Sequence, residues 1–110
     1  MSNTPKNLSS GQLAASATTL YTCTAGKTVI TSCTICNDTT TAVTATFYIV
    51  PSGDTAGVAS MLVNAQALND SESLTLNELV GQVLGAGDFI SALASSATQV
   101  TATISGVEIT

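Results

Sequence analysis

The 110-residue chain has no His, no Arg and no Trp, and only 8% of it is charged. Without His there is no Ser-His-Asp or Cys-His nucleophile, no imidazole zinc ligand and no side chain that ordinarily titrates near neutrality. Two lysines, Lys6 and Lys27, stand against seven acids, for a formal charge of −5. That balance leaves nothing to neutralise a phosphate backbone or an anionic membrane, so neither nucleic acid nor membrane is expected as a partner. No stretch approaches the ~18 consecutive apolar residues of a spanning helix. The opening MSNTPKNLSS lacks the basic and apolar regions of a secretory signal, so a soluble product made in a cytoplasm is expected. Cysteine is scarce too: Cys23, Cys33 and Cys36 are an odd set that cannot be fully paired within the chain.

What is present is Thr and Ser, 32 residues together, with Leu, Ile, Val and Phe making up 27 more. The apolar share, about a quarter, exceeds the roughly 20% below which disorder is the default. The length suits one domain with its own core. Thr and Val fit a pleated surface, and Thr hydroxyls keep a wet face soluble without charge, so the composition predicts an all-β protein.

Residues 1–16 are polar, contain Pro5 and hold no period, and are expected to be an extended N-terminal arm outside a domain of residues 17–110. The domain alternates from there. Strands are expected at Thr19–Cys23, at Thr28–Cys36 with Val29, Thr31, Cys33 and Ile35 on one face, and at Ala42–Val50 with Val43, Ala45, Phe47 and Ile49 aligned. Others fall at Ala59–Ala65, Ser73–Leu76, Phe89–Ala94 and Gln99–Ile109, while Leu79–Leu84 reads equally as a helical turn or a short strand. In the last strand Val107 and Ile109 are out of step with Val100, Ala102 and Ile104, which predicts a β-bulge near Gly106 that returns all five to one side. About seven strands with turns between them predict a single antiparallel β-sandwich, immunoglobulin-like or jelly-roll.

Candidate chemistry is sparse. Gly26-Lys27-Thr28 resembles the end of a phosphate-binding loop, but Tyr21 stands where the motif needs glycine and β-branched residues follow instead of a helix, so a hairpin turn is expected. Asp70 with Glu72, or Asp54 with Asp88, could pair as glycosidase carboxylates, yet four aromatics, Tyr21, Phe47, Tyr48 and Phe89, make no platform for a sugar. A Ser-Lys pair fares no better, with Lys6 in the arm and Lys27 in a turn. Asn37, Asp38, Asp54, Asn69, Asp70 and Glu72 are turn oxygens that could gather calcium, although such residues ordinarily bond their own backbone. Cys33 and Cys36 form a CxxC inside a strand, where residues three apart face opposite sides, so they read as structural thiols; Cys23 facing Cys33 across adjacent strands stays open. The sequons at Asn7, Asn37 and Asn69 are expected by chance in so Ser/Thr-rich a chain. No enzyme activity, cofactor or metal is expected.

The stretch Leu20-Tyr21-Thr22-Cys23-Thr24-Ala25-Gly26-Lys27-Thr28, then Cys36-Asn37-Asp38, Tyr48-Ile49-Val50-Pro51-Ser52-Gly53, Ala86-Gly87-Asp88 and the closing Ile104-Ser105-Gly106-Val107-Glu108-Ile109 resemble small virion proteins of tailed bacteriophages. The resemblance spans residues 20–109 and departs at Cys23 and Thr24, where the family commonly has an apolar residue and Pro. It implies a β-sandwich structural protein of the particle, with no catalytic residues to carry over. Among virion roles, a single small domain with an arm suits a decoration, or cement, protein on the capsid exterior better than a fibre. The alternative is a tail, neck or fibre-associated module, structural or binding a receptor or glycan. On this reading the partners are the major capsid protein and further copies of the chain, as a homotrimer, and the arm makes the contact through Pro5, Lys6, Leu8 and Leu13.

Overall fold

The computed structural model describes residues 3–24, 26–37, 39–57, 60–96 and 100–109. The Thr- and Val-rich runs form nine strands there: β1 (Asn3–Gln12), β2 (Thr18–Thr22), β3 (Lys27–Asn37), β4 (Val43–Val50), β5 (Met61–Leu68), β6 (Ser73–Thr75), β7 (Val83–Gly85), β8 (Phe89–Ala94) and β9 (Val100–Ile109). One sheet runs β1-β9-β3, with β6 and β7 placed end to end along the far side of β3; the other runs β2-β8-β4-β5. All pairs are antiparallel. The pairing is nested: first with last, β2 with β8, β3 with the broken β6/β7, and β4 with β5. That is the connectivity of a jelly roll, so the β-sandwich resolves to that type and not the immunoglobulin one.

The strongest alternation in the sequence held. Val43, Ala45 and Phe47 are buried in the core and Ile49 packs against it, while Tyr48 lies on the outer side of β4, opposite Ser91 and Met61. Cys33 is buried and Cys36 half-buried on the other face, and no disulfide joins the three cysteines, so Cys23 and Cys33 are not bridged. The Leu79–Leu84 segment makes a turn and then β7, with Leu84 fully buried. Ala25, Asp38, Ala59 and Gln99, which the predicted turns and strands include, lie outside the described residues.

Three expectations are corrected. The N-terminal segment is no free arm: β1 pairs with β9 from Asn3↔Ile109 to Gln12↔Thr101, and Leu8 and Leu13 enter the core, so the domain begins at its first described residue. The phase change near Gly106 is not a bulge in β9. The extra residues lie in its neighbours, at Thr31 of β3 and Leu8 of β1, where Ile30↔Gly106 is followed by Ser32↔Ser105 and Asn7↔Ser105 by Ser9↔Ile104. The bulge at Thr31 also splits the predicted face of β3: Cys33 and Ile35 face the core as expected, but the phase is reversed ahead of the bulge. Thr28, Ile30, Cys33, Ile35 and Asn37 point inward and Val29 points out, as do Val107 and Ile109 of β9.

Glycine at 106 follows from that crowding. A Cβ there would overlap the Val29 carbonyl oxygen and press on Leu8 Cδ1 at 2.9 Å. Gly87 is fixed by its turn, with φ at 91° and Ser52 Oγ and Cβ in the space a side chain would fill.

Candidate interaction surface

The structure separates the four residues expected to contact a partner. Leu8 is 7% and Leu13 2% exposed, so neither reaches a partner's surface in the folded chain. Leu8, two residues past the inward-facing Lys6, points to the same side, and Leu13 follows as the chain crosses toward the second sheet, its N–H donating to Val100 O at 2.8 Å. Pro5 and Lys6 stay exposed on opposite faces of β1: Pro5 sits beside Val107 on the outer face, Lys6 beside Gly106 on the inner one.

Lys6 belongs to a polar cluster at one mouth of the sandwich. Its Nζ lies 3.5 Å from Glu108 Oε2. Tyr21 Oη donates to the same carboxylate oxygen at 2.5 Å and accepts from Thr28 Oγ1 at 2.9 Å, and Thr28 Oγ1 lies 3.3 Å from Cys23 Sγ. The hydroxyl and carboxylate thereby join the two sheets. The Tyr21 hydrogen bond, aided by Lys6, holds the Glu108 carboxyl below the usual carboxylate range. Burial first, then the bond to Glu108, pushes Tyr21 up to about 12, and burial alone pushes the Cys33 thiol up to about 12. A proton held so firmly makes the phenol a strut, not a base.

The cluster sets a pH dependence of stability. A lowered carboxyl contributes stability that is complete above its unfolded value, about 4.3, and is lost as pH falls through the folded one. Raised Tyr21 and Cys33 act in the opposite sense: their contributions are complete below their unfolded values, roughly 10 and 8.5, and are lost as pH rises toward about 12. Thermal melts of the native chain are expected to fall at both limbs. Tyr21→Phe is expected to flatten the acid limb, since the bond that depresses Glu108 goes with the hydroxyl. Superimposable acid limbs in the two proteins would rule Tyr21 out as the cause.

The other acidic candidates are engaged in turns. Asp88 accepts from Ser52 N through Oδ1 and from Gly85 N through Oδ2, both at 2.9 Å, which ties the loop after β4 to the β7–β8 turn. Glu72 accepts from Asn69 N at 2.8 Å, closing the β5–β6 turn. Asp54 borders a cleft of about 310 Å³ with Pro51, Thr55 and Ser60. Lys27 is exposed at the start of β3, directly followed by the buried Thr28. Among the described residues no three acids or thiols are grouped as metal ligands.

The outer face of the first sheet is divided along its length. At one end Ser10, Thr103, Thr34 and Thr75 form a hydroxyl row across four strands. At the other the row is apolar: Pro5, Val107, Val29 and Val83 stand side by side on β1, β9, β3 and β7. Ile109 adjoins it, between Asn3 and Lys27. Val83 is 53% exposed, and Val80, in the turn before β7, 41%. Comparison with protein-family models, curated proteins and solved structures gives no match.

Each strand supplies one residue to this row, so no single stretch of sequence displays it. The one signal was the pair Val107 and Ile109, whose apparent lapse from the core phase marks an apolar outer surface.

Proposed function

We propose that the chain is a structural protein of a tailed-phage particle, a decoration protein that adheres to the outside of the capsid and stabilises it. The observation that carries this reading is the apolar row on the outer sheet face, exposed at Pro5 and Val83 and half-buried at Val29 and Val107, since contiguous apolar surface on a folded domain marks a contact site. The residues through which the sequence resembles phage virion proteins support it in a second way. Gly87 and Asp88 hold the turn before β8, and Gly106 and Glu108 hold β9 to its neighbours and to the second sheet. They are the residues that shape this jelly roll, an architecture used among others by viral capsid and lectin domains. The adhesive surface is then the sheet face and not an N-terminal arm, and a capsid repeats the contact many times over.

Counting copies tests it. In purified particles from the producing host, mass spectrometry of this chain against the major capsid protein is expected to give hundreds of copies per particle. A handful to a few dozen would place the chain at the neck or tail, and absence from the particle would overturn the reading.

A further inference from the structure

We infer that the row Pro5–Val107–Val29–Val83, with Ile109 and Lys27 at its border, is the docking face, and that its occupant is an apolar capsid-protein surface carrying a carboxylate for Lys27. The inference rests on the decoration reading above and names the partner's chemistry.

The chain as a whole is acidic, but the local charge at the border of the row favours such a partner. The chain carries two cations against seven acids. Lys6 faces inward and is paired with Glu108; Lys27 is exposed, and no ion pair forms to it among the described residues. Glu108 turns its carboxylate toward the mouth cluster, leaving the described residues of the row without an acid. A second copy offers the described residues of this face no carboxylate to set against Lys27. A partner with an acid at the border of an apolar patch would meet Lys27 with the opposite charge.

Area points the same way. Four strands at about 4.8 Å spacing make the row roughly 15 Å long, and with the Ile109 row beside it the face covers on the order of 300 Å². A standard interface needs about 800 Å² from each partner, so this face alone does not hold a stable dimer in solution. A contact of that size becomes effective where a lattice presents it repeatedly and the chain's remaining surface settles against the same support.

Three of the four sheet edges, β1, β5 and β6/β7, do not compete for this role. β1 carries three devices that discourage strand addition: Pro5, which lacks an N–H, the inward-pointing Lys6 and the bulge at Leu8. β5 is interrupted at Ala65, whose φ is 50°, and β6 and β7 are three residues each.

The test titrates purified chain onto particles of the producing phage stripped of it. Val83→Asp and Lys27→Glu are each expected to weaken binding by about tenfold or more, with melting curves close to the native one because both side chains are exposed. Thr75→Asp, a charge placed on the hydroxyl half of the same face, is expected to bind within about twofold of the native chain. Native binding should weaken with salt, and Lys27→Glu should lose that dependence. Unaltered binding by a folded Val83→Asp chain overturns the docking face while leaving the decoration reading in place. Failure of the native chain to bind stripped particles overturns the reading itself. A native dimer in sedimentation that Val83→Asp disperses would make a second copy the occupant, and overturn the assignment of the partner.

Discussion

A chain lacking residues 1–16 is expected to be unfolded. The truncation removes β1, and with it every backbone pair from Asn3↔Ile109 to Gln12↔Thr101, so β9 becomes a bare edge ten residues long. It empties the sites of Leu8 and Leu13, each of which costs about 2–5 kcal/mol when a buried leucine is cut only to alanine. It also deletes one link between the sheets, where Leu13 N donates to Val100 O at 2.8 Å and Ala14 O accepts from Ala94 N at 2.9 Å. Together these losses rival the roughly 5–15 kcal/mol that a whole domain has. Circular dichroism should show no cooperative melt, and the exposed β9 edge should make the product prone to aggregation. A cooperative transition within about 5 °C of the full chain would instead make residues 1–16 dispensable to the domain and return them to the role of an arm.

That segment was illegible for a physical reason. In a strand buried on one face the residues alternate, but β1 is an edge that covers the core at a single point, and that point is a bulge. Of Asn3–Gln12 only Leu8 is buried, so no period exists in NTPKNLSSGQ to be found. β4 is the opposite case: held between β8 and β5, it repeats its inward residues from Val43 through Ile49, and its core face was readable from the alternation. The reversed first half of the β3 face and the misplaced bulge of β9 share one cause. A bulge belongs to a pair of strands, and a single strand's pattern does not say which partner holds the extra residue. Thr31 and Leu8 hold it, on either side of Gly106, and the glycine singled out in the sequence is where the two distortions meet.

The polar groups divide in the same way. Turn-forming Asx residues were legible as a class, and Asp88 does close a turn through Gly85 N, but its bond to Ser52 N spans 36 positions and has no local signature. Tyr21 and Glu108, 87 residues apart, meet only because β2 and β9 come together at one mouth of the sandwich. The candidate surface is the limiting case. Its four residues come from four strands, and only the registers β1–β9, β9–β3 and β3–β7 place them in line.

Asn37→Ala is expected to be the most damaging single substitution at the opposite end of β3. Asn37 is fully buried, and its side chain does the work of a small strand. Nδ2 donates to Thr41 O at 2.7 Å and to Asn69 O at 3.0 Å, with Leu68 O at 3.5 Å, while Oδ1 accepts from Thr39 N at 3.0 Å and Thr39 Oγ1 at 2.7 Å. One amide therefore binds the β3–β4 turn to the end of β5, and so the first sheet to the second. Alanine leaves two carbonyls and an N–H without these partners, at about 1–3 kcal/mol for each group that water does not reach. Both carbonyls keep some access to solvent, which brings the expected total to about 3–5 kcal/mol and the fall in melting temperature to roughly 10–25 °C. Asn37→Asp separates the two halves of the interaction. Its carboxylate still accepts from Thr39, but it meets the Thr41 and Asn69 carbonyls as an acceptor facing acceptors, within a buried site. Urea unfolding at neutral pH should therefore find Asn37→Asp at least as unstable as Asn37→Ala, and the difference between them should narrow as the carboxyl is protonated. If both variants unfold within about 1 kcal/mol of the native chain, the turns are held by their own backbone bonds and Asn37 is a passenger between the sheets.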